Sequence, residues 1–153
     1  MLSCHANALM IDENKGDHRV RVLLTELGLD FNLTDIGDFS VNVEFDDGRG
    51  QGVIIASPTY YVDRLEVREV LTVGFEFEAP LSADIGNALL IHNASVNLGA
   101  WMVNPHDDDI GGTAIFRCPV GAVTTAQSLY TVIIEVAKAG DFVEEKFTGK
   151  DEF

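Results

Sequence analysis

The chain has 153 residues, 46% of them hydrophobic, with nine Phe and a formal net charge of −15. Such a length and apolar content can fill one core and exclude a disordered chain, and no apolar run reaches the roughly 18–20 residues of a membrane-spanning helix. The 25 Asp and Glu stand against 10 Lys and Arg with no basic cluster, which excludes nucleic acid and anionic membranes as partners.

Residues 1–16 show no periodicity and are expected to form a loose leader. They lack a basic n-region, and Asp12 and Glu13 end the apolar stretch, so no export signal is expected there. The two cysteines, Cys4 and Cys118, are too few for a disulfide framework in a chain of this length. Both are expected as free thiols in a reducing compartment, and the chain is expected to be cytoplasmic.

The first helix begins at Asp17, an N-cap residue type, and carries Val20, Leu23, Leu24 and Leu27 at helical spacing; Gly28 supplies its left-handed stop. The period then changes. Phe39, Val41, Val43 and Phe45 alternate with Ser40, Asn42 and Glu44, as in a strand with one wet face. Asp46 to Gly50 is turn chemistry, and Val53 to Ala56 returns as the partner strand of a hairpin. Between Tyr60 and Phe77, a single long bent strand and a strand followed by an extended connection fit equally well.

Ser82 caps a second helix with Asp84 in its first turn; Ile85, Leu89 and His92 share one side, with Ala88 and Ile91 adjoining. Leu98 to Val103 and Thr113 to Cys118 form a second hairpin around the Asn104 to Gly112 turn. A long final helix follows. Thr124-x-x-Gln127 has the spacing of a capping box, and Ala126, Leu129, Tyr130, Ile133, Val136 and Ala137 form the expected buried stripe. Gly140 weakens this helix without ending it, and residues 148–153 form a polar tail.

The element order is therefore α-β-β-β-α-β-β-α, the pattern of an α+β fold with helices against a single antiparallel sheet. One domain is expected over residues 17–147.

His106-Asp107-Asp108-Asp109 is the densest set of metal-ligating residue types, but side chains of consecutive acids diverge, whereas Ca²⁺ loops use alternating positions. His5, His18, His92 and His106 share no ligand spacing, and His92 reads as a packing residue on an apolar helix face. No nucleophile elbow or phosphate-cradling glycine loop occurs: Gly48 to Gly52 lies in a hairpin, not at a helix start. No catalytic, cofactor or metal residues are assigned, and no enzymatic activity is expected.

More telling are strands that are apolar on both alternations. Leu98, Ala100 and Met102 fall on one side and Trp101 and Val103 on the other; Val53 to Ala56 and Ala114 to Phe116 repeat this. Two dry faces mean helices on both sides of the sheet or a second surface buried against another molecule. Trp101, Val103, Ile54 and Phe116 are the candidate partner or dimer surface.

Leu89-Leu90-Ile91-His92-Asn93 at a helix end, Leu98 to Met102 after it, and Leu65-Glu66-Val67-Arg68 resemble the YbjN family, described as candidate bacterial sensory-transduction regulators. The resemblance runs from about Val20 to Phe147 and includes the Asn93 position. It implies the fold of the type III secretion chaperones, small acidic proteins that dimerise and hold an extended stretch of a partner. The function it implies is a non-enzymatic, homodimeric, chaperone-like module that binds an extended segment of a partner protein. The alternative is a small metal-binding protein or enzyme using the His106 to Asp109 hairpin.

Overall fold

The computed structural model describes residues 15–107 and 110–147. In chain order the elements are α1 (His18–Glu26), β1 (Asn32–Leu33), β2 (Phe39–Glu44), β3 (Gly50–Ile55), β4 (Tyr60–Val62), β5 (Leu65–Phe77), α2 (Ala83–Ser95), β6 (Ala100–Pro105), β7 (Gly112–Gly121) and α3 (Ala126–Phe147). The predicted order is present, with the short β1 and β4 added to it. All strand pairings are antiparallel, in the order β1-β2-β3-β5-β7-β6, and β4 pairs with β5 alongside β3.

The start of α1 follows the sequence signal. Asp17 caps it, accepting from the Arg19 N–H at 2.8 Å, and Gly28 beyond the C-terminus takes a φ of 67°. Ser82 caps α2 through the Ile85 N–H. At α3 the cap is Thr125 rather than Thr124: its Oγ1 accepts from the Ser128 N–H at 3.1 Å, and its carbonyl accepts from the Leu129 N–H. The buried stripe of α3 contains Ala126, Leu129, Val132, Ile133, Val136, Ala137 and Val143, while Tyr130 is exposed.

Of the two possibilities for Tyr60 to Phe77, the structure adopts the long strand. β5 runs unbroken for 13 residues, bent by a bulge between Val73 and Phe75. The extra residue is Gly74. A Cβ there would sit 2.6 Å from Cη2 and Cζ3 of Trp101, so only glycine leaves room for the indole. The bulge puts Gly74 and Phe75 on the same buried side, with exposed Glu76 next on the opposite side.

The three helices share one face of the sheet. α3 crosses β3, β5 and β7; α1 packs on α3; α2 packs on β6. Beneath them lie Phe39, Val41, Val53, Ile55, Val70, Ala114, Phe116, Cys118 and Val120, together with Trp101. The sequence left two ways to cover a doubly apolar sheet; among the described residues the helices cover one face only.

Candidate functional site

The uncovered face carries the other alternation. Its register rows are Ser40, Ile54, Leu71, Arg117 and Ala100, then Val73, Ile115 and Met102. Ile54, Leu71, Val73, Ile115 and Met102 are half-buried and form an apolar strip across β3, β5, β7 and β6. Toward the β4–β5 turn the same face continues through Tyr60, Val62 and Leu65, all exposed.

Polar groups frame the strip. The Tyr60 hydroxyl donates to Oε1 of Glu69, and Nη1 of Arg117 lies 3.5 Å from the same oxygen. This bond to Glu69, and secondarily burial, raise the Tyr60 pKa. Glu44 on β2 and Glu76 at the end of β5 are exposed on this face as well.

The four residues expected to form one surface are divided between the two faces. Ile54 lies on the open strip. Trp101 and Phe116 point the other way, into the core, with ring centroids 5.4 Å apart and planes at 65°. Val103 shares their alternation but is 39% exposed. Leu71, Val73 and Ile115 were not singled out by the sequence. A signal for them existed: Arg117 shares the alternation of Ile115, and Ser40 is paired with Ile54, so polar residues mark this side as the wet one.

A second cluster joins α2 to β6. Asn93 Oδ1 accepts from the Trp101 N–H at 2.6 Å, and its Nδ2 donates to the Trp101 carbonyl at 3.3 Å. The Trp101 indole N–H donates to Nδ1 of His92 at 2.9 Å, and the imidazole stacks on Phe142 with centroids 4.6 Å apart. Burial, then the nearby Lys146 charge, lowers the His92 pKa from its ordinary value of 6.5. On the outer side of α2, Leu90 and Ile91 are exposed; Ile91 therefore does not adjoin the packed side as the helical spacing suggested.

The β6–β7 hairpin is tighter than expected, because Asn104 and Pro105 continue the strand. Thr113 Oγ1 and His106 Nε2 are 3.4 Å apart, while Asp108 and Asp109 lie outside the described residues. Among the described residues no three His, Cys, Asp or Glu side chains converge as a metal site would require. Among those residues, too, no helix is long and apolar enough to cross a membrane.

No family profile matches the chain, and no curated protein sequence does. A solved structure does match in fold: YbjN from E. coli, described as "a putative transcription regulator", superposes with a TM-score of 0.54 at 14% identity. The match covers 85% of this chain and 89% of YbjN. The α+β order with one antiparallel sheet agrees with the expected fold class, and the fold is YbjN-like.

Proposed function

We propose that the chain is a non-enzymatic regulatory module of the cytoplasm that binds an extended segment of a partner protein on the helix-free face of its sheet. The observation that carries this reading is the strip of Ile54, Leu71, Val73, Ile115 and Met102, apolar and uncovered by any described helix. Crossing four strands at about 4.8 Å spacing, it is about 15 Å long, the reach of roughly five extended residues. Glu44, Glu69 and Glu76 on this face and a net charge of −15 favour a segment whose apolar side chains are flanked by Lys or Arg.

The homodimer expected from the sequence would cover the same strip with a second copy. Such a pair brings like charges together, screened within about 8–10 Å at physiological salt, so its association would tighten as salt rises. A basic segment would bind more weakly as salt rises.

The test uses a fluorescent peptide of alternating Leu and Lys and, as its control, the same composition without alternation. Anisotropy should show saturable binding of the alternating peptide alone, weakened at least tenfold by Leu71→Asp or Ile115→Asp with circular dichroism unchanged. Equal binding of both peptides, or full affinity in either variant, refutes the site. Sedimentation equilibrium separates the other occupant: a species of twice 16.7 kDa that tightens with salt and dissociates in Leu71→Asp assigns the strip to a second copy.

A further inference from the structure

α2 is thinly attached. Leu89 is its one buried residue, and it meets the sheet mainly at β6, with the His92 ring also reaching Phe116 of β7. Its C-terminal turn is held there by two consecutive side chains, both on Trp101: Asn93 pairs with the backbone N–H and carbonyl, and His92 accepts from the indole.

The two bonds differ in kind. The Asn93 amide has no charge to gain or lose. The His92 bond requires a lone pair on Nδ1, hence the neutral ring with its proton on Nε2. Protonation puts a second N–H on the ring, and at 2.9 Å it would face the indole N–H donor against donor. The imidazolium would also lie against the faces and edges of Phe142, Trp101 and Phe116, out of most of the solvent.

The charge that acts on the His92 ring is a cation's, not a carboxylate's. On α3 the group that faces His92 is the cation Lys146, whereas Asp141 and Glu145 turn to Arg49. Glu144 is one helical turn from Gly140, on the side of α3 that meets Gln51 and Thr72. On α2, Asp84 is at the opposite end. On β7, Arg117 points to the other face, and β6 bears no charged residue.

We propose that α2 is an acid-released latch: a proton on His92 breaks its hold on Trp101 and frees the C-terminal turn of α2, Asn93 included, from β6. The sign follows from the folded state's preference for the neutral ring. The hold is complete above the ordinary histidine value of 6.5 and is lost as pH falls through the lower folded-state value. This latch lies on the helical side of the sheet and is independent of what occupies the open face.

Trp101 is the chain's single tryptophan, so its emission reads the latch directly. From about pH 7.5 to about pH 5, emission should shift to the red and α2 amides should lose protection, after correction for intrinsic exchange, while β5 and β7 stay protected. In His92→Gln, whose amide oxygen can accept the same bond without titrating, both changes should vanish. In the unaltered protein the His92 ring resonance should titrate with the midpoint of the emission change. A flat emission profile, a histidine midpoint that differs from it, an unchanged transition in His92→Gln, or loss of β5 and β7 protection together with α2 would each overturn the latch.

Discussion

Gly140 sits in the middle of α3, where glycine costs helix stability, yet the helix runs through it for 22 residues in all. The reason is on the sheet. A Cβ at this position would lie 2.8 Å from Cδ of Gln51 and Cγ2 of Thr72. Both side chains are fully buried: Gln51 donates to Thr72 Oγ1 at 2.8 Å and to the Val73 carbonyl, while Thr72 donates to the Gly52 carbonyl at 2.6 Å. Glycine lets α3 come down onto this pair without displacing it. Gly140→Ala should therefore destabilise the fold by about 1–3 kcal/mol through overpacking, although alanine is the better helix former by about 1 kcal/mol. Urea unfolding reads the difference, and a raised midpoint would mean that the helix does not approach so closely. The sequence showed the cost of this glycine but not its purpose, because Gln51 and Thr72 are remote in the chain.

At the scale of elements, α1, β2, β3 and α2 were legible because a period coincides with a cap or a turn within one short stretch. The start of α3 was legible only to one residue. Thr124 and Thr125 are both good caps, and Gln127 three residues after Thr124 completes a capping box on paper; the chain instead uses Thr125, whose hydroxyl meets the Ser128 N–H and side chain. Thr125→Ala should cost about 1 kcal/mol, and Thr124→Ala within about 0.5 kcal/mol, in thermal or denaturant unfolding. Equal costs would return the cap to the box. β1 and β4 escaped because two and three residues carry no period. The open face was half legible: the doubly apolar strands announced a second dry surface, but deciding which alternation meets the helices requires the Gly74 bulge and the Trp101 ring that fills its space.

Across the whole molecule, one polar network sews distant parts together. Asp17 at the head of α1 accepts from Arg68 of β5 at 2.7 Å, and Arg19 bridges Asp17 and Glu66. Arg68, buried, also donates to the Ala56 carbonyl, and Ser57 joins the Asp17 N–H to the Gly37 carbonyl. Arg19 and then Arg68 hold the Asp17 carboxyl well below the usual carboxylate range, against the opposing pull of burial. Arg19, then Thr59, brings Glu66 down to about 2. Carboxyls lowered on folding stabilise above their ordinary values and lose that contribution as pH falls through the folded ones. Asp17→Asn keeps a capping side chain while discarding the charge. It should cost about 1–3 kcal/mol near neutrality, and the deficit should close as pH falls below about 4. Because both proteins feel nearly the same overall charge repulsion, the difference between their unfolding curves isolates this network. A deficit independent of pH would show that the bonds to Asp17 owe nothing to its charge.

A β-sheet is also a polymer that can go on adding strands at its margins, and at β6 this one is stopped. The Asn93 amide fills the rung at Trp101 as a neighbouring strand would, and Pro105 has no N–H to offer. Growth is thus terminated at β6 by a side chain carried on a helix, so the chain's resistance to strand-by-strand accretion at that margin depends on how firmly one helical turn stays in place.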